Sequence, residues 1–413
     1  MPSTNRSIFS QPSPILDFAW YPAASAHVPA TYCFVASVRE CPVKLLDASD
    51  GRLRASYSIV DHRERQVAPH SLAFNLITDK LYCGFEDAIE VFDVNRPGEG
   101  RRLRTTPSKK SRDGLKGIVS ALAFSNDASS GVYAAGSLSP SSSLSSNIAI
   151  FTEATGEVPV MFVGDENQAD SFGIRASVTQ LMFNPMQPYL LYASFRRRDA
   201  IYTWDVRGDV SVPVQIFTKG VRSASGPDSS QQTRCADLTN QKLRFDIDIG
   251  GRWLGWGDQH GDVHIFDLNT GAEDPSGITQ PERVRYATEQ VLPVATFHAH
   301  EDAIGSVSFH PLEPLLLSVS GSRHFDTVVT HPENSDSSSD ETDSDSDEDR
   351  HSATPSSRRR PKENIVAEVR HSHPQPTTHD DSIKLWSFKS QSENNTSIIL
   401  GPADSLVQPV LCS

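Results

Sequence analysis

Basic side chains recur in the short polar segments that separate apolar runs, and they are the residue types best suited to bind phosphate. A guanidinium donates two parallel hydrogen bonds to a phosphate or a base edge, a geometry that the ammonium of lysine does not offer. Two aromatic residues close to such arginines, Phe195 and Phe325, could stack on unpaired bases. The alternative is that each basic residue simply occupies a solvated loop. The candidate nucleic-acid contacts are Arg39, Lys109, Lys110, Arg112, Arg196, Arg197, Arg198 and Arg323.

A second group of residues combines the side chains of a hydrolase triad with a tryptophan. It consists of His300, Ser318, Asp380 and Trp386. A nucleophilic serine needs an exposed sharp turn such as G-x-S-x-G, whereas Ser318 lies inside the apolar run LLLSVS. We therefore interpret the four residues as a structural hydrogen-bond set that ties the strands of one repeat together.

Other motifs with known chemistry are missing from the sequence. It contains no G-x-x-x-x-G-K-[ST] and no H-E-x-x-H. The five cysteines stand far apart, and the HSH at 371–373 has no third ligand at the spacing of a metal site. The sequence therefore predicts a protein that is not an enzyme, with no metal, no cofactor and no small-molecule substrate.

The elements that position these side chains are repeated strands. One unit of short apolar runs occurs six times in the sequence. Its clearest copy is SVTQLMFNP, YLLYASF, AIYTWDV and VPVQIF over 177–217. Its apolar residues alternate with period two, which indicates strands, and four short strands per repeat are typical of a propeller blade. We predict an all-β WD-repeat propeller with six recognisable blades. The aromatic residues that mark the first strands are Trp20, Phe74, Phe124, Phe183, Phe245 and Phe309.

Charge and composition divide the chain into segments. The 413 residues carry a formal charge of −14, and 331–350 alone hold nine acidic residues and one arginine. Such a segment buries too little apolar surface to fold. The start of the chain resembles no signal peptide, and no run is apolar enough to span a membrane, so no membrane partner is expected. The predicted segments are 1–14 as a tail or single strand, 15–321 as blades, 322–379 as a disordered insertion, 380–400 as the completion of the last blade, and 401–413 as a tail.

Propeller topology gives the basic residues a common location. The turns between second and third strands and the links between blades emerge on one face, and the candidate arginines and lysines lie in these turns and links. A face that gathers many basic residues on an otherwise acidic protein focuses a positive potential that favours nucleic acid. The segment RRRPK at 358–362 is typical of a basic nuclear-import signal.

Several segments resemble the telomerase Cajal body protein family of WD-repeat proteins. The resemblance covers about 15–388 and is carried by ILDFAWYP, ASVRECPVKLLDASDGRLRASY, KLYCGFEDAIEVFDVNRPG, FDIDIGGRWLGWGDQHGDVHIFD and HPLEPLLLSVSGSRHF. It implies a nuclear propeller that binds small guide RNAs of the Cajal body, including telomerase RNA in animals, and that localises ribonucleoproteins as a scaffold. The family pattern has seven blades, and residues 1–14 could supply at most one strand of another blade.

Two functional hypotheses stay open. The first is an RNA-binding scaffold whose partner is a small nuclear RNA or its ribonucleoprotein, in the nucleus or a nuclear body. The second is a protein-only scaffold or substrate receptor, in which protein partners bind the propeller faces and the acidic insertion.

Overall fold

All regular structure in the described part of the chain is β. The computed structural model describes residues 8–108, 110–111, 113–138, 147–164, 176–219, 239–269, 288–324 and 377–388, and the backbone of 407–410. Within those ranges no helix is long and apolar enough to cross a membrane. The 25 strands of the described residues form six sheets, which confirms the predicted six-bladed propeller.

Five of the six described sheets are antiparallel meanders of four strands, and the sixth has the same meander with one added strand. Blade 1 contains β1 (Ile15–Trp20), β2 (Cys33–Val38), β3 (Val43–Asp47) and β4 (Leu53–Tyr57). Blade 2 contains β5 (Ser71–Phe74), β6 (Lys80–Phe85), β7 (Ala88–Asp93) and β8 (Arg101–Arg104). Blade 3 contains β9 (Val119–Phe124), β10 (Val132–Ser137), β11 (Ile148–Thr152) and β12 (Met161–Val163).

Blades 4 to 6 follow the same pattern, with one added strand. Blade 4 contains β13 (Val178–Phe183), β14 (Leu190–Phe195), β15 (Ala200–Asp205) and β16 (Gln215–Thr218), joined by β20 (Glu289–Val291). Blade 5 contains β17 (Phe245–Ile247), β18 (Trp253–Gly257), β19 (Asp262–Asp267) and β21 (Ala295–His298). Blade 6 contains β22 (Ile304–Phe309), β23 (Leu315–Ser320), β24 (Ile383–Phe388) and β25 (Val407–Val410). Strand β20 pairs in parallel with β16 and has no counterpart in the predicted repeat.

First strands pack against one another. Strand β1 contacts β5, β5 contacts β9, β9 contacts β13, and β17 contacts β22. The first strand of each blade is therefore the inner strand, and the fourth lies at the periphery. Penultimate glycines of two second strands permit the close approach of the next blade. A Cβ atom on Gly136 would lie 2.5 Å from Val178 Cγ1, and one on Gly84 would lie 2.7 Å from Val119 Cγ1.

The core consists of apolar layers between consecutive blades. In β14 and β15, five of six residues are buried, because both faces of a central blade are covered by neighbours. Aromatic contacts cross these layers, such as Tyr82 with Tyr133 at 5.2 Å and Phe217 with Phe266 at 5.5 Å between ring centroids. Burial of each such large apolar side chain contributes about 1.5–3 kcal/mol. The interblade layers are thus the main source of stability.

The first and last blades each leave one apolar face open. Phe18 and Trp20 of β1 are each 49% exposed, and Ile383 of β24 is 63% exposed. Their strand neighbours on the opposite face, such as Val35 and Leu316, are fully buried.

The last blade extends beyond its predicted limit. Its fourth strand, β25, pairs antiparallel with β24 and lies past residue 400, where the sequence predicted a tail. The reason is that strand pairing is made by backbone groups, so the short VQPV segment of β25 can add a strand to the sheet without a strong repeat signal.

The chain divides into two compact units, one of 1–322 with 380–413 and one of 323–379. In the second unit, His324 and Thr377 exchange two backbone hydrogen bonds of 2.8 Å, so its two ends meet. The prediction of disorder for the insertion concerns mainly 325–376, outside the described residues.

Candidate nucleic-acid interface

The turns between second and third strands and the links between blades lie on one side of the propeller, which we call the loop face. Because neighbouring strands are antiparallel, these two kinds of connection must share an end of each sheet. Hydrogen bonds join them directly. Arg39 N donates to Pro14 O at 3.0 Å, and Arg196 N donates to Ser177 O at 2.8 Å. The backbone that carries both arginines is therefore fixed to the entry of its own blade.

Arg244, just before the inner strand of blade 5, reaches the first blade. Its guanidinium contacts the carboxylate of Asp17 on β1 and lies 5.6 Å from the centre of the Phe18 ring. Its backbone N–H donates to Gly305 O of blade 6 at 3.0 Å. Asp17 also accepts a 2.9 Å hydrogen bond from Leu72 N of blade 2. This one ion pair thus links four blades near the propeller axis.

The residues flanking Arg244 contact two more blades. The Lys242 ammonium lies 3.5 Å from Ser120 O of blade 3, a distance at the limit for a hydrogen bond. Phe245 exchanges two hydrogen bonds with the Gln180 side chain of blade 4, at 2.8 and 3.0 Å. The segment Lys242–Phe245 therefore lies where the inner strands converge.

Five basic side chains share this place, and we call them the axial basic cluster: Arg39, His70, Arg196, Lys242 and Arg244. Burial lowers the pKa of His70, and the charges of Lys242, Arg39 and Arg196 lower it further. Burial also lowers the pKa of Lys242, where Arg244 and Arg196 add to the effect and Asp17 opposes it. The charges of Lys242, Arg39 and Arg196 therefore act on His70, and those of Arg244, Arg196 and Asp17 act on Lys242.

The cluster contains more positive than negative charge. Asp17 is its carboxylate, and that group is engaged by Arg244 and Leu72. Among the described residues, the side chains of Arg39, Arg196 and Lys242 form no ion pair. An anion that approaches the loop face near the axis would therefore meet three unneutralised donors.

The arginine triplet of blade 4 includes Arg196 of this cluster. Arg196, Arg197 and Arg198 follow β14 directly, and all three are exposed. Arg197 adopts a left-handed φ of 56°, and its N–H donates to Thr239 O at 3.2 Å. The neighbouring Lys219 is already engaged by Asp199 at 2.7 Å. The tight turn therefore presents three guanidiniums to solvent.

The remaining predicted contacts are dispersed. Lys110 is exposed in the link between blades 2 and 3, whereas Lys109 and Arg112 lie outside the described residues. Arg323 is exposed and belongs to the second compact unit. Of the eight candidates, Arg39 and Arg196 are the two whose charges lower the pKa of His70.

The predicted aromatic stacking partner of the triplet is wrong. Phe195 is only 5% exposed and packs edge-on against Tyr202, with ring centroids 5.7 Å apart. It is buried because the second strand of a central blade is covered on both faces, so the last strand residue turns inward while the turn begins at Arg196. Phe325 lies outside the described residues.

The set of His300, Ser318, Asp380 and Trp386 forms a chain of hydrogen bonds. His300 Nε2 lies 2.7 Å from Ser318 Oγ, and Trp386 Nε1 donates to the same oxygen at 2.9 Å. His300 Nδ1 lies 3.1 Å from Asp380 Oδ2. Burial opposes ionisation of Asp380, yet hydrogen bonds led by those from Ser382 hold its pKa below the usual range. Ser318 is fully buried, so this geometry suits cohesion of the blade and offers a substrate no access.

Sequence reasoning missed Lys242, His70 and Arg244. The alternation of Lys242, Leu243 and Arg244 just before Phe245 could have indicated two of them, because extended backbone puts Lys242 and Arg244 on the same side of an inner strand. That these side chains meet Arg39 and Arg196 depends on the convergence of blades 1, 2, 4 and 5.

Comparison with known proteins places the chain among curated relatives. No protein-family model matches it. It is 30% identical over 311 residues to telomerase Cajal body protein 1 of Rattus norvegicus, covering 75% of this chain and 49% of that protein. For Homo sapiens the identity is also 30%, with 75% and 47% covered, and for the Drosophila melanogaster homolog it is 26%, with 78% and 48% covered. The chain spans about half the length of the curated relatives it matches. The resemblance to the telomerase Cajal body protein family is confirmed.

Two solved structures are similar in shape. The WD40 repeats of RRP9 match with a TM-score of 0.49 and 11% identity, covering 77% of this chain and 78% of that one. The structure of U3-55K matches with a TM-score of 0.47 and 11% identity, covering 77% and 79%. At these values neither comparison bears on function, and the fold assignment stands on the sheet topology.

Proposed function

Since the chain is related to telomerase Cajal body protein 1 over three quarters of its length, we propose that it is a non-catalytic scaffold of nuclear ribonucleoproteins whose loop face binds a small nuclear or Cajal-body RNA. Telomerase RNA is one member of this class to test, as the name of the relatives indicates. The protein localises or helps to assemble the ribonucleoprotein, in the nucleus or a nuclear body.

The observation that carries this proposal is the unneutralised charge of the loop face. Arg39, the triplet of Arg196, Arg197 and Arg198, and Lys242 have no ion-pair partner among the described residues. Clustered guanidiniums repel one another and are stabilised by a ligand with several negative charges. The RNA backbone supplies such charges at a regular spacing, and its affinity falls with salt in proportion to the phosphates contacted.

The test is RNA binding by the full chain, measured by fluorescence anisotropy with small nuclear RNA at several salt concentrations. Substitution of Arg196, Arg197 and Arg198 by Ala should weaken binding and flatten the slope of log K against log salt by about 2, since each single-strand phosphate contact contributes about 0.7. The matched control replaces Arg52, Arg96 and Arg207 by Ala. Their side chains are 60–89% exposed, in turns on the opposite face.

The outcomes separate the hypotheses. Loss of affinity in the loop-face variant but not in the control supports the proposal. An unchanged affinity and salt slope in the folded loop-face variant would reject this face as the site. Absence of RNA binding by the wild type would reject the RNA scaffold altogether.

Nuclear import is part of the proposal, and the proposed import signal is the segment RRRPK at 358–362, which lies outside the described residues. Deletion of these five residues should reduce nuclear accumulation of a fluorescent fusion while leaving its Tm unchanged. Undiminished accumulation would reject this segment as the import signal.

A protein-binding scaffold is the second candidate, and a surface on blade 1 favours it. Phe18, Trp20, Tyr32 and Phe34 line an aromatic cleft of about 530 Å³, and Trp20 stacks on Tyr32 with centroids 5.9 Å apart. Exposed apolar patches of this kind are typical of protein interfaces. Crosslinking of Trp20→Ala and wild-type protein to nuclear extract would show whether partners depend on this cleft.

A further inference from the structure

We propose that the axial basic cluster is a phosphate site in which Lys242 is the central ligand, and that it holds one backbone phosphate of the bound RNA. This inference rests on the proposed function but specifies its chemistry, since it centres a phosphate on Lys242, which is not one of the eight predicted contacts.

The first argument is the incomplete coordination of Lys242. An ammonium has three donors. The one polar partner found for it in the described residues is Ser120 O, 3.5 Å away, while the Lys242 side chain is partly buried. A buried charge that lacks a counter-ion is costly. Arg244, two residues away, has by contrast a carboxylate partner in Asp17. Lys242 is therefore the cationic group at the axis that an incoming anion would stabilise most.

The second argument is that basic groups carried by different blades act electrostatically on Lys242 or on its neighbour His70. Arg196 belongs to blade 4 and Arg39 to blade 1, and the turns that carry them are held by backbone hydrogen bonds of 2.8 and 3.0 Å. His70 enters from the link before blade 2, with its backbone N–H bonded to Gly84 O at 2.7 Å. The backbone of both turns is therefore fixed to the entry of its own blade.

The third argument concerns the kind of anion. A carboxylate presents two oxygens in one plane, which suits a single guanidinium. A phosphate presents oxygens in several directions, so it can accept from an ammonium, two guanidiniums and an imidazole at once. Donors that come from blades 1, 2, 4 and 5 match this arrangement. A donor set of this composition therefore suits a phosphate better than an acidic side chain.

The first experiment uses inorganic phosphate and the full chain. Phosphate should raise the Tm of the wild type when compared with sodium chloride of equal ionic strength, and the rise should be lost in Lys242→Met. It should be retained in Arg96→Met, which removes one positive charge on the opposite face. Lys242→Met should fold, because the substitution removes an unpaired charge and keeps the aliphatic chain. Lys242→Arg should preserve part of the phosphate effect and serves as the second variant.

The second experiment uses a 12-nucleotide single-stranded RNA. Lys242→Met should flatten the slope of log K against log salt by about 0.7, the contribution of one phosphate contact. The RNA should also displace inorganic phosphate competitively, which distinguishes an RNA phosphate from a free phosphate at the same site.

Each outcome decides one of the two claims. Lys242-dependent phosphate binding without RNA binding would support the site and reject the proposed function. RNA binding that depends on Arg196, Arg197 and Arg198 but not on Lys242 would support the function and overturn the axial site. Absence of a phosphate effect in the wild type together with an unchanged salt slope in Lys242→Met would also overturn it.

Discussion

The guanidinium of Arg244 contacts the carboxylate of Asp17, although the two residues are 227 positions apart in the sequence. The contact connects the entry of blade 5 to the inner strand of blade 1. Asp17 is 7% exposed and also accepts a hydrogen bond from Leu72 N. One of its carboxylate oxygens therefore binds Arg244 of blade 5 and the other binds Leu72 of blade 2. It neutralises Arg244 and leaves Lys242 without an equivalent carboxylate partner among the described residues.

Replacement of Asp17 by Ala should destabilise the protein by about 3 kcal/mol, because it leaves a partly buried guanidinium unpaired. It also leaves Leu72 N without its acceptor. The measurement is urea unfolding followed by fluorescence. The double variant Asp17→Ala with Arg244→Met should recover part of the loss, since neither charge remains. A double variant as unstable as the sum of the two single variants would contradict a direct pairing.

The pKa of His70 should rise toward its usual value in Lys242→Met. Burial is the main cause of its lowered pKa and will persist, but the largest single charge acting on it will be gone. The pKa can be followed by NMR through the imidazole Cε1 proton, assigned by comparison with His70→Gln. Arg96→Met provides the control for a general change in charge. An identical His70 pKa in wild type and Lys242→Met would place Lys242 outside the cluster.

As the pH falls, the free energy of unfolding of the wild type should increase relative to that of a variant that lacks the Asp246 carboxyl group. Burial raises its pKa to about 6, although Phe309 N and Ser308 Oγ donate to it across the junction of blades 5 and 6. Its ionised form therefore costs free energy in the folded state above pH 6, and this cost disappears as the carboxylate is protonated on acidification. The ordinary value is 3.8, so the effect acts between about pH 7 and pH 4.

The comparison to make is between wild type and Asp246→Asn in urea at pH 7.5, 6 and 4.5. The stability of the wild type should gain about 1–3 kcal/mol relative to the variant over this range. The variant itself lacks the titrating group and is the matched reference. A difference in stability that does not change with pH would show that Asp246 has an ordinary pKa.

Ser318→Ala should destabilise the last blade without changing RNA affinity. The substitution leaves His300 Nε2 and Trp386 Nε1 without their shared partner, and each unsatisfied buried group costs about 1–3 kcal/mol. Thermal unfolding and anisotropy binding at a temperature where the variant is folded provide the two readouts. Ser129→Ala, in an exposed turn, is the control for loss of a hydroxyl group. A folded Ser318→Ala protein with lost RNA affinity would instead assign this set to the binding site.

The repeated strands could be predicted from the sequence because their cause is local. Alternating apolar residues in YLLYASF and AIYTWDV specify strands with two buried faces, and the turn that follows Phe195 is polar because it lies outside the sheet. The same local pattern puts Arg39 and Arg196 on one face, since chain direction alternates from strand to strand. The order of His300, Ser318, Asp380 and Trp386 along the last repeat likewise indicated its role despite the insertion between them.

The location of the axial basic cluster was decided by the tertiary structure. Lys242, His70 and Arg39 are remote in sequence, and the charges of Lys242 and Arg39 act on His70 because the six sheets pack around one axis. That packing also determines that Asp17 neutralises Arg244 rather than Lys242, and that Phe195 is buried rather than exposed. Local periodicity specifies which way a side chain points from its own strand. The partners it meets are set by the neighbouring blades, whose distance and rotation follow from packing of interblade layers that no single repeat contains.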